Sequence, residues 1–243
     1  MDDRYRQSCL SVMGITRYVL RAQLSANNCG QLSKADPGSV QEQAPRHDPV
    51  AAAIVNPEAV VDGWEQLRSR VTSCTGCELH AGRTQTVFGT GDKNADLMVI
   101  GEAPGAEEDK QGEPFVGAAG QLLNAMLQAV GLRREQVYIA NIVKCRPPGN
   151  RNPGKAEAAA CRQYLDRQIE LIQPRVILSV GAVSAHNLLL SDESVGRLRQ
   201  RPHRYGKHNI PLLVTYHPAY LLRSPAEKAK VWQDLQRLAQ LMK

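Results

Sequence analysis

Four short apolar runs, each followed by a stretch with helical spacing, most limit how this chain can fold. Asp96–Ala103 (DLMVIGEA), Val137–Cys145, Arg175–Gly181 (RVILSVG) and Pro211–Tyr216 (PLLVTY) read as buried strands. Between the first two, residues 117–130 place Leu122, Leu123, Met126, Leu127 and Val130 on one helical side, and Gly131 follows as a C-terminal cap. Residues 155–172 read as a helix stopped before Pro174, and Ala182–Leu190 as another. Ser224-Pro225-Ala226-Glu227 reads as a capping box with proline at the first helical position, opening a last helix. Strand and helix alternating in this way predict an α/β protein: a parallel sheet with helices on both faces.

The front of the chain has a different character. Residues 4–24 contain Leu10, Met13, Ile15, Val19 and Leu20, which suit a short amphipathic element interrupted at Gly14. Residues 25–60 are rich in Ser, Asn, Pro, Gln, Ala and Gly without a period, so a flexible linker is expected there. The domain is therefore expected over 61–243. A short helix from Trp64 to Val71 should lead into Cys74-Thr75-Gly76-Cys77.

Charge follows the same division. Residues 1–60 hold six Lys/Arg against six Asp/Glu, so the whole excess of +6 falls on 61–243. A basic globular part favours a polyanionic partner such as nucleic acid, although a solvated surface would give the same imbalance. No apolar run approaches the ~18 residues of a membrane span. The first residues lack the basic and apolar regions of a signal peptide, so a cytoplasmic protein is expected. Thiols stay reduced there, which makes six cysteines speak for metal or catalysis rather than disulfides.

Cys74 and Cys77 form a C-x2-C pair, and Cys145 and Cys161 a much wider one. Four thiolates suit tetrahedral zinc or a cubane iron–sulfur cluster, and spacing alone leaves both open. Cys9 and Cys29 fall in the front segment and look like bystanders. Three polar residues stand out at strand ends: Glu102 after the first strand, Asn141 within the second and His217 after the fourth. Ligands of such sheets bind beyond the carboxyl ends of the strands. Each residue alone has a structural explanation; together on one rim they suggest a site.

At GEAPGAEEDKQGEPFVGAAGQLL (101–123), KCRPPGNRNP (144–153) and HPAYLLR (217–223) the chain resembles family 4 uracil-DNA glycosylases, the iron–sulfur type. The resemblance runs from about Trp64 to the C-terminus. It implies a three-layer α/β/α sandwich around a four-stranded parallel sheet, behind a flexible N-terminal extension. It also implies a [4Fe–4S] cluster on Cys74, Cys77, Cys145 and Cys161, with a structural task. The substrate implied is uracil-containing DNA, single- or double-stranded, its uracil flipped out and its N-glycosidic bond hydrolysed.

By the same resemblance Phe115 stacks on uracil, Asn141 reads its polar edge, and His217 hydrogen-bonds O2 as charge develops there. Glu102 orients the attacking water, with Glu108 in support. Ala103 stands where classical uracil-DNA glycosylases carry an Asp, so no strong dedicated base is expected. Pro218, Leu221, Leu222 and Arg223 are the candidates for DNA contact. Arg199 joins them from the basic stretch 197–207, which suits a phosphate-facing loop.

A related group bonds covalently to uracil-DNA through a His after the third cysteine, but Arg146 to Cys161 contains none. A non-catalytic iron–sulfur binder is the remaining alternative. Met13-Gly14-Ile15-Thr16 resembles the start of the psi subunit of the bacterial replicase clamp loader, so residues 1–24 are a candidate docking peptide for a replication or repair protein. A monomer is expected.

Overall fold

The computed structural model describes residues 57–243, together with Ser11 and Gly14. Most of the amphipathic element expected at 4–24, most of the linker expected at 25–60, and both Cys9 and Cys29 lie outside the described residues. Eight helices and six strands follow in chain order. The helices are α1 Pro57–Thr72, α2 Ala106–Gln111, α3 Ala118–Ala129, α4 Lys155–Ile172, α5 Ala182–Leu189, α6 Val195–Leu198, α7 Pro218–Arg223 and α8 Lys228–Leu241. The strands are β1 Thr90–Gly91, β2 Leu97–Gly101, β3 Tyr138–Asn141, β4 Val176–Val180, β5 His203–Tyr205 and β6 Ile210–Thr215. Helix α1 starts four residues inside the stretch expected as linker.

The sheet runs β1-β3-β2-β4-β6-β5, and its inner four strands are parallel. These are the four apolar runs of the sequence. Every residue of β2 and β4 is buried, as a strand covered on both faces requires. Alternation along β2 sends Met98 and Ile100 to one face and Leu97 and Val99 to the other. On the first face they meet Trp64, Leu67 and Val71 of α1 and Leu165 and Ile169 of α4. On the second they meet Leu123 and Met126 of α3 and Leu235 and Leu238 of α8. That is the expected three-layer sandwich.

Two features differ from expectation. The sheet has six strands rather than four, because β1 and β5 add antiparallel to its edges. Neither carries an apolar run: β1 is two residues and β5 reads His-Arg-Tyr, so their place depends on backbone pairing that hydropathy does not reveal. The second concerns the last helix. Ser224 makes no side-chain cap; Pro225–Glu227 forms a 3-10 turn and Glu227 instead pairs with Lys230 at 2.8 Å. The cap at Gly131 is as expected: it adopts φ +86°, and Leu132 N–H donates to Leu127 O at 3.0 Å, closing α3.

Candidate active site

Strands β2 and β3 lie side by side in register, so Gly101 pairs with Asn141 at the carboxyl rim. A side chain at 101 would put its Cβ 2.5 Å from Asn141 Oδ1 and 2.6 Å from the Phe115 ring. Only glycine lets the amide and the aromatic ring approach this closely. Asn141 is 2% exposed, and its Oδ1 is buried without a hydrogen-bond partner. A buried acceptor left unpaired is costly, so a ligand donor is the natural complement.

Phe115 is held in the left-handed region at φ +55°, which a bulky residue enters only under constraint. The constraint is visible. Arg134 donates to Pro114 O at 2.5 Å, to Phe115 O at 3.2 Å and to Asn124 Oδ1 at 3.2 Å. Glu108 accepts N–H bonds from Gly105 at 3.1 Å, Val116 at 3.0 Å and Gly117 at 3.2 Å. Glu108 thus supports the site by tying its loop together.

His217 follows β6 and caps α7. Its Nδ1 accepts the Ala219 N–H at 3.1 Å, which leaves the ring proton on Nε2. Burial, helped by Arg223 and opposed by Glu108, pulls its pKa down to about 4, so the ring is neutral at pH 7. The imidazole stacks near the Phe115 ring, with centroids 5.7 Å apart and planes at 29°. Gly181, at φ +97°, leaves room for His217: a Cβ there would sit 2.9 Å from His217 Cβ. Glu102 comes directly after β2, and burial raises its carboxyl above the ordinary value.

Glu102, Ala103, Glu108, Phe115, Asn141, His217 and Arg223 all line one cavity of about 440 Å³. That is room for a small planar ligand. Pro147, Asn150, Arg151 and Asn152 line it too, and sequence reasoning missed them as site residues. The signal was present, since this Pro/Gly loop directly follows the Asn141 strand. Arg151 is fixed by two bonds to Glu157, at 2.7 and 2.9 Å, and Arg151 in turn holds the Glu157 carboxyl down to about 2.

Two expected DNA contacts are corrected. Leu221 is fully buried in the core beneath α7, so it cannot enter a DNA stack. Arg199 is 7% exposed; it pairs with Asp234 at 2.8 Å and donates to Lys230 O at 2.6 Å. Of the five cations in 197–207 only Arg199 is buried; Arg197, Arg201, Arg204 and Lys207 are exposed, and three of the five have acid partners. Acids from elsewhere in the chain compensate these three: Asp234 for Arg199, Glu193 for Arg201 and Glu170 for Lys207. Leu222 is 47% exposed, Pro218 is the buried first residue of α7, and Arg223 faces the cavity.

The four cysteines come together behind this site. Cys74 and Cys77 follow α1, Cys145 follows β3, and Cys161 sits on α4; all four line one small cavity with Val71 and Tyr164. Three of the sulfurs receive N–H donors: Cys74 from Gly76 at 3.4 Å, Cys145 from Arg83 at 3.0 Å and Cys161 from the Lys144 backbone at 3.3 Å. Burial pushes the Cys161 thiol up to about 11 and raises Cys145 as well. Among the described residues no three His, Cys, Asp or Glu side chains are close enough to hold a single metal ion.

A parallel sheet, a polar cavity at its carboxyl rim and a cysteine quartet behind it describe a known class. The chain belongs to the uracil DNA glycosylase superfamily, whose family model matches residues 88–236. Within it, the chain is 43% identical over 184 residues to a type-4 uracil-DNA glycosylase of Thermotoga maritima, covering 74% of this chain and 94% of that one. A type-4 enzyme of Archaeoglobus fulgidus is 40% identical over 188 residues, with the same coverage of 74% and 94%. A type-5 uracil-DNA glycosylase of Thermus thermophilus is 32% identical over 151 residues, covering 54% of this chain and 68% of its own.

Proposed function

We propose that this chain is a DNA repair glycosylase that extrudes uracil from DNA and hydrolyses its N-glycosidic bond, leaving an abasic site. One observation carries the reading: the unpaired, buried Oδ1 of Asn141, facing a cavity that also holds Phe115 and His217. Uracil presents N3–H to that oxygen and O4 to the amide N–H2. Cytosine presents an acceptor and a donor in the reverse order, and leaves the amide mismatched. Phe115 supplies a flat apolar face for the ring.

In the reaction a water oxygen bonds to C1′ of the sugar while the C1′–N1 bond breaks. The bonding pair leaves with uracil and spreads onto O2. His217, neutral with its proton on Nε2, donates to that oxygen as charge develops and stabilises the departing anion. Glu102, as the carboxylate, orients the water by accepting its hydrogen bond, and the water's proton passes to solvent as its oxygen bonds to C1′. Ala103 leaves space beside it. Exposed Leu222 beside the cavity, with Arg223 on its wall, forms the surface that meets DNA next to the extruded nucleotide, and Pro218, buried at the first position of α7, fixes that turn.

Cys74, Cys77, Cys145 and Cys161 are the residues that would hold a [4Fe–4S] cluster. Support comes from the donor set: four soft thiols spread around one cavity rather than meeting at a point, with N–H groups aimed at three sulfurs. A bound cluster supplies a cross-link between α1, the end of β3 and α4. The domain is residues 61–243, extended forward by the start of α1. Residues 1–24 are reserved for a replication or repair partner, and the working form is a cytoplasmic monomer. Among the described residues no helix is long and apolar enough to cross a membrane.

The test is incubation with an oligonucleotide carrying one uracil, followed by alkali. Many cleavages per protein are expected. A stable protein–DNA adduct or an uncleaved strand would contradict the reading.

A further inference from the structure

Lys144 is the largest fully buried side chain of the described fold, at 1% exposure, and nothing in the chemistry above uses it. Its ammonium donates to Asn141 O at 3.0 Å and to Gln168 Oε1 at 2.7 Å. Both acceptors are neutral. Gln168 is 0% exposed and commits its own amide N–H2 to Phe88 O at 2.9 Å and to the Tyr138 hydroxyl at 3.1 Å. Its oxygen is thereby turned toward Lys144. Lys144 lines the same cavity as the four cysteines, and the Cys161 sulfur accepts its backbone N–H at 3.3 Å.

A buried ammonium with no counter-charge is strongly unfavourable, and hydrogen bonds to neutral oxygens offset only part of that. Binding of iron by cysteine proceeds with loss of the thiol proton, so a filled four-cysteine site carries negative charge next to Lys144. We propose that Lys144 is the internal counter-ion of the four-cysteine site and the positioning residue that ties that site to Asn141. This rests on the reading that the cysteines hold an iron–sulfur cluster. One side chain then compensates the cluster's charge and fixes the carbonyl of the residue that recognises uracil. Loss of the cluster removes the counter-charge, Lys144 withdraws toward water, and the backbone of Asn141 loses its anchor. A cluster without a redox task would in this way still govern base recognition.

The experiment compares the full-length wild type with Lys144→Met and Gln168→Glu, all purified without oxygen. Iron per chain, the rate of iron loss to a chelator and the cluster's midpoint potential are measured. Lys144→Met should lose iron about tenfold faster. Its potential should shift negative, because a cation that favoured the more negative, reduced cluster is gone. Gln168→Glu gives Lys144 a carboxylate partner, so its Tm should fall less on iron removal than that of the wild type. Wild-type iron loss and potential in Lys144→Met would overturn the assignment while leaving the cluster in place. If that variant does not fold, an undiminished fall of Tm in Gln168→Glu would overturn it instead. A wild type that binds no iron would remove the cluster reading itself, and this one with it.

Discussion

Asn141 ends the wholly buried strand β3, after Tyr138, Ile139 and Ala140, and its side-chain oxygen has no hydrogen-bond partner in the protein. Asn141→Asp replaces the amide donor by a second acceptor and adds charge beside a departing anion. Its kcat/KM on uracil-DNA should fall at least about a hundredfold. Glu108→Ala removes the acceptor of three loop N–H groups, and should cost about 1–3 kcal/mol of stability with a smaller kinetic loss. Comparable kinetic losses in the two variants would count against these roles. The pH behaviour separates His217 from Glu102. Folded His217 takes up its proton only near pH 4, the unfolded ring near 6.5. Between those values the unfolded chain binds more protons, so this contribution is full above pH 6.5 and is lost as pH falls toward 4. His217→Asn should flatten the fall of Tm across that window. The acid limb of kcat/KM belongs to Glu102, should lie above pH 4.5, and should disappear in Glu102→Gln. Asn141, Glu102 and His217 were legible in sequence because each is polar at the end of an apolar run. Arg199 was not: its partner Asp234 is 35 positions away, and sequence alone does not pair them.

Short elements carry the errors and the sharpest contrasts. Helix α7 has only six residues, and adjacent leucines on it face opposite ways. Leu221→Ala should cost about 2–5 kcal/mol of stability through a core cavity. Leu222→Ala should leave Tm unchanged and weaken binding to uracil-containing duplex, as read by fluorescence anisotropy. Equal Tm losses would contradict the assigned faces. Which leucine faces inward depends on how α7 leaves β6, and a motif of seven letters does not encode that. The inner strands were legible because burial on both faces demands continuous apolar runs. Strands β1 and β5 were not, since edge pairing needs only backbone and a partner. The loop 147–152 falls between these cases: it served as a family signature, but its place on the cavity wall follows from Arg151 clasping Glu157 on α4.

The molecule as a whole sets a polar cavity and a four-cysteine cavity in one domain. Its topology brings the ends of β2, β3 and β6 to one rim, and Cys74, Cys77, Cys145 and Cys161 line a second cavity of the same domain. The excess of basic residues lies in this same domain, though Arg199, Arg201 and Lys207 are compensated internally. Binding to uracil-free duplex should still weaken steeply as salt rises, and a flat response would remove the electrostatic part of the account. The class of fold was legible from strand–helix alternation; the convergence of residues a hundred positions apart required the folded chain. The central claim is that the cavity is built around the N3–H of an extruded uracil. Calorimetric titration of the protein, purified without oxygen, with free uracil and with 3-methyluracil tests it most directly. The account predicts binding of uracil and none of 3-methyluracil at the same concentrations, because the methyl group removes the donor that Asn141 awaits. Equal binding of both would contradict it.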